Sequence, residues 1–453
     1  MTAAAFLLFS CQIHQPRNVS LSVVPERFSR TGTAQNKCWW ESFQDTQLNR
    51  FAERVLSDNP NLKQAWARLE QARAMADQAG ASRWPHLTVD ARSGRSRTNI
   101  PVMPPASGTT ASYNNQFSAS AAVSYEVDLW GSIASLNKAA ELDVKASQRD
   151  LETMAISLTA EIAETWFSII EKRALLDLAH EQLKVNETYL KLIQFRFGQG
   201  QASALDVYQQ RQQAAGTRAK IPPIESGLRV FLHQLSVLLG DPPQAEITEP
   251  HGNLPDLPEL PMTGLPSALL KSRPDIQAVH FRVAAADHRV SAAIADRFPS
   301  LGLTASGGFR ATELAELFEN LIWDILGNLS GTLWDGGRKS AEVRRKRAML
   351  EELSAKYVQT VLGAFQEVED ALVREEQQQI YLSKLNEQIR YAKMSLKESR
   401  HRYLNGLDDY LRVLTALESL QNLEQRLISA KKQLLSHRIQ LYRAIGGIDV
   451  IEN

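Results

Sequence analysis

Few residue patterns in this 453-residue chain could carry covalent chemistry. Motifs that would hold zinc or redox thiols, cradle a phosphate or expose a nucleophilic serine (HExxH, CxxC, a Gly-rich phosphate loop, GxSxG) do not occur. The nine His residues are scattered, and Ser306-Gly307-Gly308 and Asp335-Gly336-Gly337 read as strand or turn glycines. One thiol stands out. Cys11 closes the run Phe6-Leu7-Leu8-Phe9-Ser10, which reads as the tail of a secretory apolar segment or as an ordinary apolar N-terminus with a buried Cys. Cys38 is the one other cysteine, and no disulfide framework is implied. No catalytic constellation, cofactor or metal site is expected, and the chain is not read as an enzyme. The other candidate positions are mechanical. Gly200 and Gly406 stand where a helix must reverse, and such a turn needs a residue that adopts positive φ cheaply.

The elements that position these turns are two helices of unusual length. Residues 132–197 and 339–404 are free of proline, and each covers 66 residues, or about 100 Å of helix at about 1.5 Å per residue. In the second, Leu382, Leu385, Ile389, Ala392 and Leu396 step three and four, a heptad seam, whereas Leu353, Tyr357, Val361, Phe365, Val368 and Leu372 step closer to an eleven-residue repeat, which straightens a supercoil. The polar run Arg374 to Gln379 breaks the seam as a solvated or polar-lined zone would. Pro222 and Pro223 are expected to break the helix that returns from Gly200.

The chain is also duplicated. Residues 59–94 align without gaps on 273–308, with Arg83/Arg297, Pro85/Pro299 and Gly94/Gly308 among the identities. Farther on, Gly131/Gly337, Arg196/Arg402, Gly200/Gly406 and Leu205/Leu411 align at an offset of 206. Each half reads as short helix, two strands, long helix, tight turn and returning helix. Phe117, Ala119, Ala121, Val123, Tyr125 and Val127 alternate with polar residues, the period of a membrane barrel strand. The four strands are expected at about 86–98, 115–128, 300–310 and 325–334, with 99–114 as a loop rich in Pro, Ser and Thr. Four strands cannot close a barrel, because the smallest bacterial ones have about eight; three copies would give twelve. No stretch is apolar enough for a transmembrane helix, and 51 basic against 51 acidic residues argue against nucleic acid as a partner. Glu161 and Glu367, aligned between the repeats, read as ordinary surface carboxylates.

These residues resemble the TolC-like outer membrane efflux factors, in their NodT-type lipoprotein branch. The likeness runs from about Trp39 to Gly447. It rests on Tyr125-Glu126-Val127-Asp128-Leu129-Trp130-Gly131, on Arg196-Phe197-Gly198-Gln199-Gly200 with Leu205-Asp206-Val207, on Gly264-Leu265-Pro266-Ser267 with Arg273-Pro274-Asp275-Ile276, and on Arg402-Tyr403-Leu404-Asn405-Gly406 with Tyr410-Leu411. Leu8-Phe9-Ser10-Cys11 resembles a lipobox, and Gln12 in place of Asp is compatible with outer membrane sorting; the missing basic residue before Cys11 leads to the expectation of an upstream start.

The resemblance implies a mainly α fold with a membrane β-barrel part: a homotrimer whose twelve-stranded β-barrel is continued by a long α-helical barrel, built on the internal duplication. It implies the exit duct of a tripartite efflux or secretion system in the bacterial outer membrane, extending into the periplasm. The partners would be a periplasmic adaptor, an inner membrane pump of RND or ABC type and outer membrane lipids, with no nucleic acid. The tip turns at Gly198, Gly200 and Gly406 would meet the adaptor, and Asp206, Arg402 and Tyr403 would help hold the tips closed. Arg412 and Thr415 stand where the family commonly has aspartates at the narrowest point; three copies of Arg412 would put a positive ring there if it faces the lumen, with Asp408 and Asp409 close enough to offset it, and weaker cation block is expected. The implied division is a signal remnant at 1–10, an extension at 11–43 after lipidated Cys11, a first repeat at 44–241, a Pro-rich connector at 242–266, a second repeat at 267–447 and a tail at 448–453. A soluble coiled-coil scaffold without a pore is the alternative, and it would need no strands with a lipid-compatible face.

Overall fold

The computed structural model describes residues 14, 24–32, 38–101, 109–243, 253–264 and 266–446. In chain order the elements are α1 (Thr46–Asp58), α2 (Pro60–Ala81), β1 (His86–Pro101), β2 (Thr109–Val127), α3 (Ser132–Gly198), α4 (Ala204–Leu238), α5 (Pro266–Ser272), α6 (Pro274–Ala295), β3 (Ser300–Ala311), β4 (Leu321–Ser330), α7 (Arg338–Leu404) and α8 (Tyr410–Ala444). Contacts divide the chain into two units. The first contains Arg68–Ser147 and Ala278–Tyr357, and the second contains Leu21–Ala67, Gln148–Gln277 and Val358–Asn453. Among the described residues no helix is long and apolar enough to cross a membrane.

The first unit holds one antiparallel sheet in the order β1-β2-β3-β4. The β2–β3 pairing joins the repeats, from Phe117↔Ala311 to Val127↔Leu301. Gly308 permits this approach, since a Cβ there would lie 2.5 Å from the Ala119 carbonyl. The register gathers the apolar residues onto one face: Leu87 and Val89 beside Val123 and Ala121, these beside Ala305 and Gly307, and these beside Ile325 and Trp323. Trp323 is 70% exposed, and Leu87, Val89, Ile325 and Leu329 are exposed with it. Ser, Thr, Gly and charged residues dominate the opposite face, where Ser306 Oγ donates to Asp324 at 2.6 Å; Ile100, Ala122, Ile322 and Leu326 are among its apolar members. A sheet with a solvent-like face on one side and a continuous exposed apolar face on the other is the arrangement of a membrane barrel wall. It is also the lipid-compatible face that a soluble scaffold would not have. Within one chain β1 and β4 are open edges, each paired on one side alone.

Three strands differ in extent from expectation. The β1–β2 ladder continues through Arg97↔Tyr113 to Pro101↔Thr109, across much of the segment read as loop. Cross-strand hydrogen bonding there outweighs a composition poor in β-formers. β4 is Leu321–Ser330 and not 325–334. Its end is set by Asp335, whose carboxylate accepts from the backbone N–H of Gly337 and Lys339 at 2.9 Å each, turning 331–337 into the entry of α7. Asp128 does the same for α3, accepting from Ile133 and Ala134. Each carboxylate satisfies N–H groups that the first turn of a helix leaves unpaired.

In the second unit the heptad seam of α7 meets α8: Leu385 and Ile389 are buried with Leu420, Leu423 and Ala430. Most of the polar run is exposed, and Glu375 alone is buried within it. Glu375 is 1% exposed and takes a fork from Arg438 of α8, also 1% exposed, at 2.7 and 2.8 Å. Arg438 Nη1 further donates to the carbonyls of Pro258 and Glu259, fixing the connector. Glu367 is an exposed surface carboxylate, as expected, but it is held in an ion pair. It accepts from Arg273 at 2.8 Å, and Arg273 also binds Asp275 and the Ala444 carbonyl. Glu161 is exposed.

Pro222 and Pro223 lie inside α4, which runs unbroken from Ala204 to Leu238. The expected break does not occur. Both prolines face solvent, so the two hydrogen bonds they remove leave carbonyls that water can satisfy, and buried Ile221 and Leu228 hold the helix on either side.

Candidate functional site

The two helix reversals, α3 to α4 and α7 to α8, are the same device used twice. Gly200 (φ +70) and Gly406 (φ +71) sit just past the long helices. Gly200 N–H donates to the Phe197 carbonyl and Gln201 N–H to that of Arg196, at 2.9 and 2.8 Å. Gly406 N–H and Leu407 N–H donate to Tyr403 and Arg402 in the same pattern, at 3.1 and 2.9 Å. This paired closure consumes carbonyls that the helix end would leave unmet. Gly198 is the last residue of α3, and a Cβ at any of the three glycines would meet nothing within 4 Å in this chain. Gly200 and Gly406 are therefore held by backbone conformation, and the space around the turns is open to a partner.

The entries of the returning helices differ. Ser203 caps α4 in a reciprocal box with Asp206: Asp206 N–H donates to Ser203 Oγ at 3.1 Å, and Ser203 N–H donates to Asp206 Oδ2 at 2.8 Å. Asp409 caps α8 by accepting from Arg412 N–H. Beside it, Asp408 is shared by two guanidiniums, with Arg402 Nε at 2.5 Å and Arg412 Nε at 3.2 Å. The hydrogen bond from Arg402, aided by the charges of Arg402 and Arg412, holds the Asp408 carboxyl below its usual range. Its favourable contribution is therefore present at neutral pH and fades as the pH falls below the ordinary carboxylate range. Arg412 remains 69% exposed, and the Thr415 hydroxyl donates back to the Leu411 carbonyl at 2.9 Å.

Tyr403 is buried, and burial pushes its phenol up. The Arg196 guanidinium lies 4.6 Å over its ring, and Tyr410 packs against it at 5.3 Å. Ile193, Val207 and Val413 complete a cluster drawn from all four helix ends. In one chain, then, Asp206 and Arg402 serve their own turns, while Tyr403 joins the two hairpins by packing. Arg196 and Tyr410 are the members to which sequence reasoning gave no role at the tips, although the Arg196/Arg402 repeat identity marks the first of them.

Behind the cluster runs a buried ladder of neutral polar groups. The Tyr410 hydroxyl donates to Gln210 Oε1 at 2.6 Å, Gln210 Nε2 donates to the Asn186 carbonyl at 2.8 Å, and Gln421 Nε2 donates to Asn186 Oδ1 at 3.1 Å. This ladder ties α3, α4 and α8 together. Tyr410→Phe leaves the buried Gln210 oxygen without its donor, at a cost of about 1–3 kcal/mol. The expected result is faster proteolysis within 195–206 and 403–412 with the rest of the chain unaffected; unchanged cleavage rates would show the hydroxyl to be dispensable.

These turns and the one-sided sheet can form a wall and a closable end, and among the described residues no His, Cys, Asp and Glu group is arranged to hold a metal. Cys11 lies outside the described residues. The family profile described as outer membrane efflux protein matches residues 52–241 and 265–447. The pyoverdine export outer membrane protein OpmQ of Pseudomonas aeruginosa is 32% identical over 423 residues, covering 92% of this chain and 89% of that one. The outer membrane protein OprJ of the same species is 30% identical, covering 92% and 88%. Among solved structures, the outer-membrane channel OprN superposes with a TM-score of 0.88 at 25% identity, over 96% of this chain and 99% of that one. The outer membrane protein VceC of Vibrio cholerae superposes with a TM-score of 0.82 at 27% identity, over 91% and 99%. The chain belongs to the outer membrane efflux protein family and is an outer membrane channel component of the TolC-like kind.

Proposed function

We propose that three copies close through the open edges of β1 and β4 into a twelve-stranded barrel, and that the paired hairpins line up as its periplasmic continuation. The observation that carries this reading is the sheet itself. It exposes an apolar face while leaving two edges unpaired, and an unpaired strand edge in lipid costs several kcal/mol per group. In this assembly the duct is passive, and the driving force comes from an inner membrane pump joined to it by a periplasmic adaptor that docks on the turns at Gly198, Gly200 and Gly406. Cys11 carries the lipid that anchors the chain. Relatives are named for pyoverdine export and for toluene efflux. Cargo so different in polarity supports placing selectivity in the pump and not in the duct. Detergent-extracted protein should migrate as a heat-modifiable trimer and conduct in planar bilayers. A water-soluble monomer without conductance would overturn the reading.

Asp206, Arg402, Tyr403, Arg412 and Thr415 form the gate in this proposal. Arg412, exposed and sharing Asp408 with Arg402, balances the second turn against Asp408 and Asp409 and leaves it no negative surplus to hold cations. Divalent or hexammine cations should therefore block the wild-type channel weakly. Arg412→Asp should lower the blocking concentration about tenfold, as a reversed ring of charge raises local cation concentration. Equal block in both proteins would remove Arg412 from the pore.

A further inference from the structure

Beyond its wall, the sheet carries a basic cluster that the duct does not use. On β2 the outward apolar residues run from Val127 to Phe117, ten residue steps. At about 3.3 Å per step and a tilt of about 40°, they span about 25 Å, the height of a barrel's apolar band. Ser93 pairs with Phe117 at the upper end of that band. The β1–β2 ribbon continues past it, and the same face next presents Arg95, paired with Asn115, and then Arg97, paired with Tyr113. By the same arithmetic Arg95 stands about 5 Å and Arg97 about 10 Å beyond the hydrocarbon edge.

Both guanidiniums are exposed and gather over one ring: Arg95 lies 5.1 Å and Arg97 5.8 Å from the centre of Tyr113. From Ala91 to Tyr125 the sequence holds no Asp or Glu. Arg92, the third basic residue of the ribbon, is on the opposite face and pairs with Asp90. The lower end of the band differs: there Trp130 stacks on Phe298 at 4.8 Å, an uncharged aromatic anchor.

Planar, always-charged forks at headgroup depth suit the phosphate oxygens of a lipid. We propose that Arg95, Arg97 and Tyr113 form a binding site for the phosphate of an anionic lipid headgroup in the outward-facing leaflet. The proposal rests on the barrel reading, because it is the lipid-facing side of the wall that places the cluster. Charge alone offers one competitor, the glutamates of the β3–β4 loop (Glu313, Glu316 and Glu319) of a neighbouring copy. The depth of the two arginines just past the apolar band, on the lipid side, favours lipid.

The test uses the full chain reconstituted in phosphatidylcholine vesicles doped with phosphatidylglycerol or with lipid A, with retained lipids counted by mass spectrometry of the intact released protein. Wild type should retain the anionic lipid at a doping about tenfold lower than Arg95→Gln/Arg97→Gln. Arg310→Gln, on the opposite face of the sheet, should behave as wild type. Equal retention by the double variant overturns the site. So does a matching loss of trimer heat stability in the Arg95→Gln/Arg97→Gln and Glu316→Gln/Glu319→Gln variants without a change in lipid, which would assign the arginines to the neighbouring copy. Protein that fails to float with the vesicles in every variant would instead refute the barrel itself.

Discussion

Arg438→Met should lower the stability of the helical unit by about 3–5 kcal/mol, the range for removing one partner of a buried ion pair. Arg438 and Glu375 are each 1% exposed and bond through both carboxylate oxygens. Without the guanidinium, Glu375 must either carry an unpaired buried charge or take up a proton. The carbonyls of Pro258 and Glu259 lose their donor in the same stroke. Two readouts follow. Apparent unfolding in urea should shift to lower denaturant, and protease should reach the connector around Leu260. Glu375→Leu combined with Arg438→Met should recover most of the loss, since an apolar replacement of a buried pair is often neutral. A single variant indistinguishable from wild type would mean that water reaches the pair.

The second large effect is positional. Ile325 lies near the middle of the outward apolar face, in register with Ala305 and Val123. Ile325→Arg should cost about 2–4 kcal/mol per copy, the penalty for a guanidinium at the bilayer midplane of a barrel. Leu326→Arg, one residue along, turns to the other face and should be tolerated, because successive strand residues point to opposite sides. Membrane fractions probed for the heat-modifiable trimer would separate them: trimer for Leu326→Arg and little or none for Ile325→Arg. The reverse order would invert the wall.

The duplicated plan and the mixture of long helices with a one-sided sheet were legible because they depend on periodicity, and periodicity survives in a single sequence. The heptad seam from Leu382 to Leu396 and the alternation from Phe117 to Val127 are each repeated enough to fix a face. What escaped reading depends on partners distant in sequence. Glu375 sits in a run that looks solvated until Arg438, in another helix, arrives beside it. Arg273 and Glu367 are similar. Pro222-Pro223 predicts a break by local rule, and tertiary packing at Ile221 and Leu228 overrides it. At the turns the glycines were readable from φ demands, but the stack of Arg196 on Tyr403 and Tyr410 was not, since it needs both hairpins side by side.

The proline pair leaves the two returning helices mechanically unequal. α4 carries Pro222 and Pro223 at mid-length, whereas α8 has no proline from Tyr410 to Ala444. Each missing backbone bond lowers the resistance of a helix to bending at that place. Duplication thus copied the outline of the hairpin without copying its compliance. Under an equal sideways load the first arm flexes at its middle, while the second stays rigid and passes the same load to its end.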